Sequence, residues 1–313
     1  MRRSTRSLIA SLSLLLLAGC GNLVTAREDF AMDTEWKDYA RVALRSTNGR
    51  LELVKGTGPK VVIRGAKQAS ALTMGEAQSM LARLVITAEP DSSDPTTLVI
   101  ELDVPADLKT RSVGASILVE VPASVRGDLS TRNGSIVCKS MKDDVLANTS
   151  NGRITITDTD GIVRASTSNG GISIERATGS ANVSTSNGAV LARDVKGDLT
   201  ARTSNGSVEA TGLGGSIDIS TSNGRIEIAG APGPEATISL TTSNGSIRAT
   251  LPETIKGTLA LSTTNGSLNT DLGKMSLTSP RMSKREMEAT INGGGSGRIV
   301  MRSSNGSLTL NCR

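Results

Sequence analysis

The sequence predicts a parallel β-helix, a β-solenoid with coils of about 18 residues. Three observations predict it: Thr-Ser-Asn-Gly occurs six times, apolar residues alternate on both sides of it, and no second layer is left to cover an open sheet. The asparagines step by 18 residues five times from Asn133 to Asn223, and then by 21 to Asn244 and Asn265. A fixed period of this length is typical of stacked supersecondary units.

Each repeat predicts two half-buried strands that meet at Asn-Gly. Around Asn223, apolar residues stand at Ile217, Ile219, Ile226 and Ile228, and alternation with a period of two is typical of strands. Asn-Gly is also a hairpin signal, but a meander of roughly twenty strands would be unusually wide, and its apolar face would stay uncovered. The solenoid is favoured because the two strands of each coil cover each other.

The corner of each coil is expected to be held by stacked side chains. In a parallel stack each residue lies about 4.8 Å from its equivalent in the next coil, so stacked Asn side chains are expected to form a hydrogen-bonded ladder. The Gly that follows each Asn is expected to accept a positive φ at the corner. The predicted structural column consists of Asn133, Asn151, Asn169, Asn187, Asn205, Asn223, Asn244, Asn265 and Asn305.

Residues 1–19 predict a lipoprotein signal peptide. Three arginines precede an apolar run, Leu8–Leu17, which is too short to span a bilayer. Leu-Ala-Gly-Cys at positions 17–20 resembles the lipobox of bacterial lipoproteins, in which cleavage leaves a lipid on the cysteine. The resemblance implies lipidation of Cys20, and Gly21 after it implies the outer membrane, with the periplasmic or surface side left open. The alternative is an ordinary signal peptide with a chance cysteine.

The remaining chain divides into three stretches. Residues 20–40 predict a lipid-anchor tether and an N-terminal cap, in which the chain's only aromatics plug the first coil or form a ligand or membrane-interface patch. Residues 41–125 predict an irregular first part of the solenoid, with helix-like spacing between 71 and 84. Residues 126–313 predict the regular repeats, interrupted by a charged stretch at 280–288 that is expected to be a short helix or a loop.

Three motifs together resemble the DUF4097 family. They are the repeated T-S-N-G-x-I, the segment Val119–Pro122, and I-N-G-G-G followed by S-S-N-G-S-L near the end of the chain. The resemblance covers roughly residues 40–313. It implies a right-handed β-helix on a bacterial envelope protein with the family's adhesin label, and it supplies no catalytic residues.

Composition and motifs argue against an enzyme, a metal site, a cofactor and a nucleic-acid partner. The chain has no His, which is the commonest general base and metal ligand. Loss of the three leader arginines leaves 32 basic and 30 acidic residues, which is no nucleic-acid footprint. The competing hypothesis is a polysaccharide-active β-helix enzyme, for which Glu209 and Glu227 in neighbouring coils would supply the carboxylate pair.

We predict that the binding surface lies on the outward side of the strand before each Asn. It is rich in hydroxyls and nearly uncharged, so it is either a solvated β surface or a repetitive contact for an envelope glycan or protein. The sequence therefore predicts a lipid-anchored envelope solenoid with a structural or adhesin-like binding role and a membrane attachment through its lipid. The candidate binding residues are Ser184, Ser186, Ser204, Ser220, Ser222, Ser239, Thr241 and Ser243.

We expect the mature protein to begin at Cys20 and to carry acyl chains there, because the leader ends in a lipobox-like motif. Mass spectrometry of the N-terminal peptide should show the acyl mass, and a Cys20→Ser variant should lose it and leave the membrane fraction. Cleavage at another residue, or an unmodified Cys20, would contradict lipidation.

Overall fold

The computed structural model describes residues 23–122 and 125–313. The signal peptide and Cys20 lie outside the described residues, so lipidation stays a prediction. The described chain forms two compact units, which divide between Gly152 and Arg153. Strands make up most of both units, and no helix in the described part of the chain has the length and apolar character needed to cross a bilayer.

The first unit contains strands of two sheets and one α-helix. The helix α1 is the element that the spacing between residues 71 and 84 predicted, and its N-cap is Thr73. Residues 24–35, within the expected tether and cap, form a strand. The elements are β1 (Val24–Glu35), β2 (Arg41–Arg45), β3 (Leu51–Lys55), β4 (Lys60–Ala71), α1 (Met74–Ala82), β5 (Val85–Pro90), β6 (Thr97–Asp103), a 3-10 turn (Ala106–Leu108), β7 (Ser112–Val121), β8 (Arg126–Ser130), β9 (Ile136–Lys139) and β10 (Val145–Asn148).

The coil formed by β2 and β3 lies out of chain order in this unit. The strand orders are β1-β4-β7-β3-β9 and β10-β8-β2-β6-β5. Thus β2 pairs in parallel with both β6 and β8, and β3 pairs with both β7 and β9. The strands β4 to β7, which follow β3 in the chain, extend the stack on the side of this coil away from β8 and β9. Together with β1 they form the antiparallel pairs β1–β4, β4–β7 and β5–β6.

The three aromatic side chains pack within the first unit. Phe30 is buried on β1, and its ring would lie 2.9 Å from a Cβ added at Gly65. Tyr39 is also buried, and its ring meets Trp36 edge-on with the centroids 5.6 Å apart. These contacts favour the packing interpretation of the aromatics over a ligand patch.

The second unit is made of strands that alternate between two stacks. The orders are β11-β13-β15-β17-β19-β21-β27-β23 and β24-β25-β22-β26-β20-β18-β16-β14-β12. The strands are β11 (Ile154–Thr159), β12 (Val163–Thr167), β13 (Ile172–Ala177), β14 (Ala181–Thr185), β15 (Val190–Val195), β16 (Leu199–Thr203), β17 (Val208–Leu213), β18 (Ile217–Thr221), β19 (Ile226–Gly230), β20 (Thr237–Thr242), β21 (Ile247–Leu251), β22 (Gly257–Thr263), β23 (Leu268–Asp271), β24 (Leu277–Met282), β25 (Glu286–Ile291), β26 (Gly297–Ser303) and β27 (Leu308–Cys312).

Parallel pairing in register confirms the β-solenoid fold. Ile172 lies beside Val190, one repeat of 18 residues later, and Ile226 lies beside Ile247, one repeat of 21 later. From β11 to β21 the inward apolar positions of both strands in each coil are buried, which is the expected result when two sheets cover each other. Burial of each such Val or Ile side chain contributes roughly 1.5–3 kcal/mol to folding.

The last coil also lies out of chain order. Strand β26 sits between β20 and β22, and β27 sits between β21 and β23. The charged stretch at 280–288, expected to be a helix or a loop, belongs instead to the antiparallel pair β24–β25. The chain returns from this pair through Gly293, Gly294 and Gly295, whose φ values of 79°, 87° and 152° suit glycine.

The glycines after the Asn residues allow the coils to pack closely. The prediction that they have a positive φ was wrong, except at Gly49. Gly49 has a φ of 126°, whereas Gly188, Gly206 and Gly224 are outside the positive-φ region. A Cβ at Gly206 would lie 1.8 Å from the carbonyl oxygen of Gly188, its equivalent one coil earlier. Any side chain here would therefore push the coils apart.

Positive φ occurs instead at the second corner, seven residues after the Asn. Asp158, Arg176 and Asp194 stack there with φ values of 57°, 55° and 54°, and Gly212 follows with 67°. Arg176 donates to both carboxylate oxygens of Asp158, at 2.6 and 3.1 Å. These bonds hold the pKa of Asp158 below its usual value. Two of the residues with positive φ, Asp158 and Arg176, are thus also joined by an ion pair.

We expect Gly206→Ala to lower the free energy of unfolding by about 1–3 kcal/mol, because the added methyl group overlaps backbone that must move. The control is Gly233→Ala, since nothing lies within 4 Å of a Cβ at that position. Urea denaturation compares the two variants with the wild type. Equal midpoints for both variants would contradict the close-packing role.

Candidate functional site

The Asn side chains form a hydrogen-bonded column along the first corner. In the second unit, Nδ2 of Asn187 donates to Oδ1 of Asn169 at 2.8 Å. The same bond continues through Asn205, Asn223, Asn244, Asn305 and Asn265, in that spatial order, with distances of 2.7 to 2.9 Å. In the first unit it links Asn151 to Asn133 at 2.6 Å and Asn133 to Asn48 at 2.7 Å.

This Asn column is exposed to solvent, which limits its contribution to stability. The nine asparagines of the predicted column are all exposed, so water can replace a lost partner. The column ends at Asn48, whose Nδ2 donates to the carbonyl of Val113 at 2.6 Å. The ladder therefore orders the exposed side of the corner, and the buried contacts of the corner come from another residue of the motif.

The buried contacts come from threonines that were not among the predicted site residues. Thr203, two residues before Asn205, donates its hydroxyl to the carbonyl of Gly188 at 3.0 Å and accepts from the N–H of Gly206 at 3.1 Å. The same donor bond recurs at Thr149, Thr185, Thr221, Thr242, Thr263 and Ser303. The signal was present, because this position has the same parity as the inward apolar residues and always carries a hydroxyl.

The candidate binding residues divide into two rows, which we call together the hydroxyl face. The strand row faces outward from β14, β18 and β20, and it consists of Ser184, Ser220, Ser239 and Thr241. The corner row precedes the Asn residues and consists of Ser186, Ser204, Ser222 and Ser243. All four residues of the corner row are exposed, whereas three of the four strand-row residues are half-buried. The corner row is thus the more accessible part.

The corner row offers hydroxyls at one-coil intervals. The carbonyl of Ser186 accepts from the N–H groups of Ser204 and Asn205, at 3.2 and 2.9 Å, so the corner backbones stack directly. Within the described part of the chain the hydroxyls of these four serines have no protein hydrogen bond, and they are available to a ligand. Their separation is one strand spacing, about 4.8 Å.

One charge pair lies inside the hydroxyl face. Arg202 on β16 stands between Ser184 and Ser220 in the strand register. Its Nη2 lies 2.9 Å from Oδ2 of Asp218, and both side chains are exposed. The pair adds little to stability, but it leaves this part of the face without net charge.

The hydroxyl face ends at β20. The repeat predicted that the pattern continues directly to the coil of β22, but β26 intervenes and places Arg298 beside Thr237 and Arg302 beside Thr241. This border could not be read from the repeat, because it depends on the out-of-order position of the last coil.

The carboxylates of the enzyme hypothesis lie side by side on the other stack. Glu209 and Glu227 are in register on β17 and β19, and they line a hollow of about 240 Å³. Glu209 lies 3.9 Å from Arg193, and Glu227 lies 3.5 Å from Arg225, so each charge is balanced locally. Five described carboxyl groups have a displaced pKa, and in each the pKa is lowered, mainly by side-chain hydrogen bonds. A general acid needs a raised pKa instead. The five are Asp91, Asp94, Asp107, Asp158 and Glu235.

The described residues contain neither a reactive cysteine nor a cluster of side chains that could bind a metal ion. Cys138 and Cys312 are free and buried. Burial, assisted by Glu52, raises the pKa of Cys138, and burial with Glu253 and Asp271 raises the pKa of Cys312 to about 11. Both therefore stay as thiols at neutral pH. No group of three or more Cys, Asp or Glu side chains there could hold a metal ion.

Comparison with known proteins identifies a family. The model of the family described as Toastrack DUF4097 matches residues 116–311. No curated protein matches the sequence. A "putative adhesin" from Bacteroides fragilis is 12% identical over 90% of this chain and 96% of its own, with a TM-score of 0.43. A "putative cell adhesion protein" from Clostridium sporogenes is 8% identical over 99% and 100%, with a TM-score of 0.20. The family match is the comparison that bears on the chain.

We expect Thr203→Val to destabilise the fold more than Asn205→Ala does. The first change leaves two buried backbone groups of the glycine corner without a partner, at about 1–3 kcal/mol, whereas water replaces the exposed Asn205 amide at about 1 kcal/mol or less. Thermal and urea unfolding measure both, with exposed Ser204→Ala as the control. A larger loss for Asn205→Ala would reverse the assigned roles.

Proposed function

The chain belongs to the Toastrack DUF4097 family, and we propose that it is a lipid-anchored bacterial envelope protein that binds a hydroxyl-rich envelope glycan through its hydroxyl face, without catalysis. The observation that carries this proposal is the corner row, in which Ser186, Ser204, Ser222 and Ser243 repeat at one-coil spacing. Their hydroxyls are exposed and have no partner in the described protein.

A repetitive face suits a repetitive ligand. Each coil offers the same small donor and acceptor, so the contact with one coil is weak and the total grows with the number of coils engaged. Arg202 and Asp218 neutralise each other, which favours uncharged hydroxyls over a strongly charged polymer. The face has no aromatic side chain, so recognition rests on hydrogen bonds and not on stacking against sugar rings.

The anchoring part of the proposal rests on the sequence. The leader, the lipobox-like motif and the nearly neutral mature charge favour attachment by lipid over attachment by a basic patch. Gly21 after the cysteine favours the outer membrane. The hydroxyl face is then presented to whichever envelope polymer lies next to that membrane.

The second candidate is a polysaccharide-active enzyme, and the pair of Glu209 and Glu227 favours it. In-register carboxylates on neighbouring strands have the short separation that a retaining glycosidase uses. The arginine beside each carboxylate and the mixed charge of the hollow favour a structural surface. Binding therefore remains the main proposal.

We expect Lys substitutions in the corner row to weaken attachment in proportion to their number, because each removes one equivalent contact. One change, Ser204→Lys, should weaken binding to purified envelope polysaccharide only modestly. Three changes together, at Ser186, Ser204 and Ser222, should abolish it in a pull-down assay.

The control carries three hydroxyl-to-Lys changes at half-buried positions on the outward side of the other stack, at Thr155, Ser173 and Thr211. Circular dichroism must show that both triple variants fold. Equal loss in the control set would contradict the hydroxyl face. Release of reducing ends from the polysaccharide, lost in Glu209→Gln, would favour the enzyme.

A further inference from the structure

We propose that Leu23 and Leu72 form a membrane contact that seats the first unit against the bilayer beside the lipid anchor. The inference rests on the proposed anchoring at Cys20 and adds a second, protein-based contact to it. Both leucines are large apolar side chains exposed to solvent, at 47% and 70% of their surface.

The pairing of β1 with β4 places the two leucines at the same end of the sheet. Val24 lies opposite Ala71 at the end of this antiparallel pair, and the next positions in the register are Leu23 and Leu72. The hydroxyls of Thr25 and Ser70, one position inward, are 2.8 Å apart and close the end of the pair. The leucines therefore project from the end of an ordered ladder.

The backbone on the far side of Leu72 is also fixed. Thr73 caps α1 and accepts from the N–H of Glu76 at 3.2 Å. The helix buries Ala77, Met80 and Leu81 and packs on β1 and β4. Leu72 lies between two anchored elements and stays exposed, although the core beside it is apolar.

The position of the patch in the chain indicates a bilayer as its partner. Leu23 is three residues after Cys20, and three extended residues span at most about 11 Å. Acyl chains on Cys20 would therefore hold Leu23 at the membrane surface. Two leucines are far too few for a stable protein interface, which buries about 800 Å² on each partner, but they can reinforce a lipid anchor.

The charge pattern around the patch fits the same partner. Residues 20–26 and 69–75 carry no charged side chain, so neither strand end brings an unpaired carboxylate to the lipid surface. Glu76, the first charged residue after Leu72 in the sequence, forms an ion pair with Arg111. An uncharged end with two projecting leucines can enter the headgroup region without loss of a solvated ion.

The test places an environment-sensitive NBD label beside the patch in the full-length, lipidated protein on phosphatidylcholine–phosphatidylglycerol vesicles. Gly75→Cys is the label site, because a Cβ there meets nothing within 4 Å. Gly233→Cys, equally open and in the second unit, is the control label. The native Cys138 and Cys312 are buried with raised thiol pKa values, so they should not compete for the label.

We expect the label at position 75 to emit at shorter wavelength and to be quenched by doxyl-labelled lipid, and the label at position 233 to do neither. Leu23→Asp with Leu72→Asp should abolish both effects at position 75 while the protein still floats with the vesicles. The matched pair Leu277→Asp with Met282→Asp, two other exposed apolar residues, should change neither effect.

Flotation without a spectral change at position 75 would overturn the membrane contact and leave the lipid anchor standing. The contact would be overturned equally if the Leu277 and Met282 pair abolished the signal as fully as the Leu23 and Leu72 pair. Failure of the wild-type protein to float would overturn the anchoring, and with it this contact.

Discussion

The structure depends on the close stacking of corner backbones, coil upon coil. Parallel strands bring equivalent residues to about 4.8 Å, and at the corner this leaves no room for a Cβ where one glycine carbonyl meets the next. The clash that a Cβ at Gly206 would make with Gly188 expresses this constraint directly. The strands can stay in register over many coils because the corner fixes their separation.

Three of the four positions of Thr-Ser-Asn-Gly meet this constraint, each through a different contact. The Gly removes the side chain at the point of contact, and the Thr ties that same carbonyl and the next N–H together from the buried side. The Asn links its equivalents on the solvent side. The corner is thus bonded on both sides of the glycine contact, and the buried side carries more of the energy because water cannot compensate there.

The regular coils could be predicted from the sequence because each residue's main neighbour is its own equivalent one repeat away. The order of the end coils could not. The Asn-Gly corners at Asn48 and Asn305 are chemically equal to the others, so the repeat does not specify which corner they stack on. The structure inserts Asn305 between Asn244 and Asn265, through a return that depends on three consecutive glycines.

Two features were predicted wrongly, and the sequence contained a signal for only the first. The strand of Met287, Ala289 and Ile291 alternates correctly for β25, but the charges around it favoured a helix or a loop. We predicted a positive φ for the glycine after each Asn, but the structure needs glycine there for close packing. The sequence shows that a side chain is absent and does not show which of these two reasons applies. The positive φ lies at Asp158, Arg176 and Asp194, where residue type gave little warning.

At the serine position of the motif, the fold gives no account of Ser186, Ser204 and Ser222. Thr, Asn and Gly each have a contact that accounts for their recurrence, whereas the hydroxyls of Ser186, Ser204 and Ser222 bond to nothing in the described protein. Arg132 and Thr264 occupy the equivalent position in other coils, so the corner itself tolerates other side chains. A residue that recurs on an exposed row without a folding role is best accounted for by what lies outside the protein, and this is why the corner row carries the binding proposal.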